Sequence, residues 1–262
     1  MDSKYFVLGG DIKKSLSEGY QFDLKKLFSD SFLLTRKNFF PLFTAYLLFT
    51  VILSALLALF INGEKLLLAP TNGLLLIAIL LFLYPTLMTG LLMMGINHSI
   101  GLKSQSFHLF SYFKILLVLS LSSFLMISVI VGVGLVFTSI FSSVSAISVL
   151  LVLIILYLKM SFIFVYPLIA EKKVSPMLAL KLSFKLVNKN LSQFTLLLII
   201  FCLLFIVTLL TSGIGMLFVA PFYVNMMGII YRQVCGVTIS VTETNDNTDD
   251  NNNDSHHGGF EA

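Results

Sequence analysis

Six continuous apolar runs decide what this chain can fold into. They cover roughly Phe39 to Ile61, Leu74 to Ile96, Ile115 to Thr138, Val149 to Ala170, Phe194 to Thr211 and Met216 to Tyr231. A hydrocarbon core about 30 Å thick is crossed by a helix of about 20 such residues. Only 11% of the 262 residues are charged, against about 25% in soluble domains. A water-soluble fold with so few charges could not cover its surface. A transmembrane barrel is not expected either, because its strands alternate apolar and polar residues over segments of about ten. The expected fold is all-α: a polytopic membrane bundle of about six transmembrane helices, arranged as three in–out–in hairpins. The sixth run is the shortest.

A short phrase recurs ahead of two of these runs. "SFLLTRKN" (Ser31 to Asn38) and "SFKLVNKN" (Ser183 to Asn190) both read S-F-x-L-x-x-K-N. Each belongs to an amphipathic stretch. In the first, Leu24, Leu27, Phe28, Ser31 and Leu34 share one side, with Lys25, Lys26, Ser29 and Lys37 largely off it, and Asp23 stands where a helix N-cap is expected. In the second, Lys181, Lys185 and Lys189 recur at i, i+4 and i+8, while Leu180, Phe184, Val187 and Leu191 line another face. Cationic and apolar faces together describe helices lying in the headgroup plane. Each lysine near anionic lipid contributes on the order of 1 kcal/mol, so Lys181, Lys185 and Lys189 are candidate lipid-binding residues. The repeat reads as a topological mark: two outgoing spans start from one surface.

Fifteen of the seventeen Lys and Arg residues flank that surface, and only Lys65 lies opposite. The bias places both termini in the cytoplasm. No apolar h-region precedes the first run, so that run is expected to act as its own insertion signal. The boundaries expected are a cytoplasmic segment at 1–38, a six-helix domain at 39–235 and a disordered acidic, Asn-rich tail at 236–262, whose composition cannot bury enough apolar area to offset ordering.

Few residues could carry chemistry. No carboxylate falls within a run, Glu64 and Glu171 stand at loop edges, and neither H-E-x-x-H nor G-x-S-x-G occurs. His98 and His108 are read as surface residues of one loop, and His256 and His257 as part of the solvated tail. Cys202 and Cys235 differ in expected depth, which argues against a disulfide. No enzyme, cofactor, metal site or nucleic-acid partner is expected. Lys159 is the sharpest residue. An ionisable group inside a span costs about 2.5–3.5 kcal/mol on insertion scales, so Lys159 either binds an anion or snorkels to the interface. Pro85, Pro167 and Pro221 each lie in a returning span, as helix breaks at a site or as packing adjustments. Gly90, Gly95, Gly132 and Gly134 offer close helix approach without forming a GxxxG motif.

"YPTLMTGLLMMGI", "SFHLFSYFK", "ALKLSFKLVNKN" and "APFYVNMMGIIYRQVCG" together resemble the YciC-like group of bacterial inner-membrane proteins, related to the membrane domain of some glycerophosphodiester phosphodiesterases. The resemblance spans most of residues 25–236. It implies a six-helix inner-membrane protein and no catalytic residue. The group often carries Trp at the position of Phe184, and this chain has no Trp. The expected role is non-enzymatic: lipid interaction, scaffolding or envelope homeostasis. Membrane lipids, anionic ones included, are the expected partners, with a protein partner or homo-oligomer as a further option. The alternative is a transporter or channel for a small or lipidic anion, using Lys159 and the proline-broken helices. A membrane enzyme ranks below both.

Overall fold

A computed structural model of the chain describes residues 3–61, 70–140 and 145–242. Strand β1 (Ser3–Leu8) leads to two helices, α1 (Ile12–Ser17) and α2 (Leu24–Lys37). The first hairpin is α3 (Phe39–Ile61) and α4 (Pro70–Ser99). A 3-10 helix (Ser106–Ile115) precedes α5 (Leu116–Ile140). The return is divided into α6 (Ser145–Ser161) and α7 (Val165–Lys172). Then come α8 (Pro176–Lys189), α9 (Leu191–Leu210), α10 (Met216–Cys235) and strand β2 (Val237–Thr242). The fold is an all-α bundle, with one small two-stranded sheet among the described residues.

Among the described residues, five helical segments are long and apolar enough to cross a membrane: Phe39–Ala58, Ile77–Ser99, Ser106–Ser139, Val149–Lys172 and Leu191–Leu210. The chain is a polytopic helical membrane protein. The sixth expected span is α10, which is not among the five. Its stretch from Val224 to Tyr231 is buried throughout. Enclosure by neighbouring helices relaxes the need for a lipid-like sequence, so Asn225 and Arg232 are tolerated there.

The tail expected from residue 236 needs a correction. Val237–Thr242 is a strand, antiparallel to β1 in a register running from Ser3↔Thr242 to Leu8↔Val237. Val237, Ile239 and Val241 alternate with Thr238, Ser240 and Thr242, the period-2 signal of a strand. The pairing also brings Ser3 and Thr242 side by side. Glu64, Lys65, His256 and His257 lie outside the described residues.

Packing is concentrated in the half of the bundle nearest this sheet. α10 packs most extensively on α4. A Cβ added at Gly228 would stand 2.2 Å from the Gly95 carbonyl oxygen, and one at Gly95 would stand 2.2 Å from that of Val224. Only glycine permits this crossing. Gly90 does the same beneath the 3-10 helix, where a Cβ would meet the Leu109 carbonyl oxygen at 2.3 Å. Gly132 has open space around it and Gly134 has only Leu151 at 4.0 Å, so neither serves a close contact. In the far half, Val131, Leu135, Val152, Leu203, Phe205 and Leu210 are exposed. In water such a belt would be an aggregation surface; in a bilayer it is the lipid-facing wall.

The two copies of the repeat share a backbone role. Asn38 and Asn190 are the C-caps of α2 and α8, each in a non-helical conformation that turns the chain into α3 or α9. Asp23 caps α2 as expected, accepting from the Lys25 and Lys26 amides at 2.9 and 3.2 Å. The serines differ. Ser31 only bonds back to Leu27 O within its own helix, at 2.6 Å. Ser183 reaches another element: its hydroxyl donates to Ser161 O at 2.8 Å and accepts from the Phe164 amide at 3.1 Å. Those are the groups freed where α6 gives way to α7. Ser183→Ala should therefore cost about 1–3 kcal/mol, and Ser31→Ala well under about 1 kcal/mol because its hydroxyl adds nothing its helix lacks. Thermal unfolding of the two variants in detergent checks this; equal losses would remove the distinction.

α8 departs from a helix lying freely in the headgroups. Ala179, Leu180, Ser183, Leu186 and Val187 are buried against protein, and the helix contacts α1, α5, α6 and α7. Phe184 and Leu191 remain partly exposed, at 39% and 38%. Tyr20 fastens this layer by donating to Leu186 O at 2.6 Å. Burial pushes its hydroxyl well above the ordinary tyrosine range, so it stays a donor.

Candidate functional site

Pro167 has no amide hydrogen, and its ring presses on the carbonyl four residues back. The helix entering it therefore stops early, at Ser161, and resumes at Val165. The joint is tightened by short-range bonds, Ile163 N–H to Met160 O and Val165 N–H to Phe162 O, both 3.2 Å. Ser183 bridges the joint from α8, donating to Ser161 O and accepting from the Phe164 amide. Pro85 and Pro221 lie inside α4 and α10 without interrupting them. Of the three prolines, Pro167 alone makes a break.

The joint borders a cleft of about 460 Å³ formed by α4, α5, α6, α7, α9 and α10. Its walls are mainly Leu, Ile, Met and Phe, with Ser123 and three tyrosines, Tyr84, Tyr166 and Tyr223. Tyr166 and Ser123 share a hydrogen bond of 2.9 Å. Lys159 is the one charged residue of the lining. It occupies the last turn of α6, where the negative end of a helix favours a cation. It is exposed, and no hydrogen bond or ion pair engages it among the described residues. Two of its neighbours in sequence hold this turn against α8. Tyr157 donates to Asn188 Oδ1 at 2.6 Å, and Phe162 lies 6.4 Å from the Phe184 ring. Lining residues Leu80 and Ile127 are themselves exposed, at 42% and 46%, so the cleft opens sideways onto the lipid-facing belt.

The other expected binding residues lie elsewhere. Lys181, Lys185 and Lys189 are exposed along one face of α8, and none of them lines the cleft. Lys189 donates to Ser17 O at 3.3 Å.

The two histidines were expected together on a loop surface, and His98 is not there. It ends α4 at 2% exposure, with Nδ1 3.1 Å from Asn225 Oδ1. Asn225 Nδ2 donates to Thr35 Oγ1 at 3.0 Å, so the three residues tie α4, α10 and α2 together. His108 instead closes the start of the 3-10 helix, accepting from the Gln105 amide at 3.1 Å. Cys202 and Cys235 are free thiols. Among the described residues, no cluster of His, Cys, Asp and Glu could hold a metal.

Glu171 was read as a loop-edge acid. Its side chain is 2% exposed and pairs with Lys172 at 3.0 Å. It also accepts from Tyr231 Oη at 2.8 Å and the Thr238 amide at 2.9 Å. Position next to a lysine pair in the sequence gave no sign of this burial.

No family model, curated protein or solved structure matches the chain.

Proposed function

We propose that this protein is a non-enzymatic component of the bacterial inner membrane, with both termini cytoplasmic, that takes an anionic lipid into the cleft. An acyl chain would lie along the apolar wall, and the charged head would meet Lys159. The observation that carries the reading is the single unpartnered cation at an apolar cleft open to the bilayer. Clefts of some 300–1,000 Å³ with few polar groups are typical of small-ligand sites. The resemblance to the YciC-like group agrees with this placement and supplies no catalytic residue.

A photoactivatable phosphatidylglycerol, labelled at the end of its acyl chain, tests the reading. Crosslinks should map to cleft segments 123–130 and 156–166. Lys159→Gln should reduce their yield about five-fold at sub-saturating lipid, one lysine's worth of attraction, with the unfolding temperature unchanged. Undiminished crosslinking would remove Lys159 from the reading, and crosslinks confined to the outer belt would remove the cleft. Transport of a lipidic anion is a second reading, favoured by the lateral opening. It requires flux in proteoliposomes that falls in the same variant.

A further inference from the structure

A second hollow, of about 260 Å³, lies where the 3-10 helix and the start of α5 meet the end of α7. It is lined by Ile115, Val118, Ile169 and Val174 and by two lysines from different elements, Lys114 and Lys173. Both lysines are exposed, and neither makes a hydrogen bond or ion pair with another described residue. The nearby carboxylate does not neutralise them, because Glu171 is held by Lys172, Tyr231 and Thr238.

Two further observations bear on this groove. First, the apolar segments of the third and fourth spans run from Ser106 and to Lys172 respectively. The groove therefore sits where two spans leave the membrane on the lysine-rich face, at headgroup depth. Second, Lys173 is the C-cap of α7 in a left-handed conformation, φ 52 and ψ 31. Glycine usually fills that position, because a side chain there is crowded by its own backbone. Here the strained position carries a free ammonium group on a hollow that already holds another.

We propose that this groove binds the phosphate of an anionic glycerophospholipid from the leaflet on the lysine-rich face. Lys114 and Lys173 approach the phosphate from two elements. Ile115, Val118, Ile169 and Val174 meet the glycerol and the first methylenes. Basic pockets between helices at this depth suit anionic headgroups, and a lysine serves a phosphate as a mobile point charge. The site is separate from the Lys159 cleft and shares no lining residue with it.

The test uses the full chain in neutral detergent and a phosphatidic acid with a photoreactive group near its head. Labelling is read as half-saturation at segments 111–118 and 169–174. Lys114→Gln with Lys173→Gln should shift half-saturation upward about 25-fold, the combined contribution of two lysines. Lys181→Gln with Lys185→Gln removes the same charge from α8 and should shift it no more than about two-fold. Lys159→Gln should leave this labelling intact, which separates failure here from failure at the cleft. Lys173→Gly should raise the unfolding temperature, by relieving the left-handed lysine, while weakening labelling. Inorganic phosphate at the lipid's concentration should not compete.

An equal loss in the α8 variant would mean diffuse charge attraction and overturn the proposal. So would effective competition by inorganic phosphate, which would make the groove a free-anion site. A Lys173→Gly variant that labels as well as the wild type would likewise overturn it.

Discussion

Gly228→Ala in α10 is expected to cost about 3 kcal/mol or more and to lower the unfolding temperature sharply. The added methyl would sit 2.2 Å from the Gly95 carbonyl oxygen and 2.7 Å from the Ile96 nitrogen. Both are backbone atoms of a continuous helix, so no side chain can turn aside. α4 and α10 would have to separate, and the Leu92, Met93, Ile96, Met226 and Ile230 core depends on their contact. Gly132→Ala supplies the control. It is the same substitution in a membrane helix, but nothing lies within 4 Å of the new atom. Alanine is intrinsically the better helix residue by about 1 kcal/mol, so that variant should be neutral or slightly more stable. Thermal unfolding of both in one detergent decides the matter. If Gly228→Ala melted with the wild type, the tight crossing would not exist.

Glu171→Ala should be the second severe change. It would strand the Tyr231 hydroxyl and the Thr238 amide and leave Lys172 without its carboxylate. Breaking a buried pair of this kind costs about 3–5 kcal/mol, because the remaining charge is uncompensated. Lys172, at 18% side-chain exposure and bonded to Thr238 Oγ1 at 3.0 Å, keeps some relief, so the lower end of that range is expected. Glu171→Gln retains one acceptor oxygen and should lose less. The damage should begin at the sheet, since Thr238 belongs to β2. Amide exchange reads it directly: Val237–Thr242 should exchange much faster in Glu171→Ala. Unchanged protection there would mean that the carboxylate does not hold the sheet.

The amphipathic stretches were legible because helical periodicity is local. Asp23, the lysine row on α8 and the two Asn stops all work through neighbours within a turn or two. The sheet was less legible. Its alternating strand was written plainly at Val237–Thr242, but its partner lies at the other end of the chain, and a single six-residue strand has no local reason to be ordered. His98 was misplaced for a related reason. In sequence it borders the polar "NHSIGLKSQ" stretch, and only α10 and α2 supply the Asn225 and Thr35 that make its burial tolerable. Lys114 and Lys173 carry no local mark of a shared hollow, because they are 59 positions apart and each resembles any interface lysine.

What the sequence determined by itself is the solvent and the layout. Twenty-residue apolar runs with so few charges cannot be covered in water, and the lysine distribution gives the two faces different characters. Both follow from transfer energies that act on each segment separately. The tertiary structure alone decided which residues share a cavity, which glycines touch and which polar groups are buried. Those depend on where distant segments meet. In a bilayer, where apolar faces are equally at home against lipid or protein, that is set by close packing and polar satisfaction between helices, at contacts such as Gly95 against Gly228 and Ser183 against the α6–α7 joint.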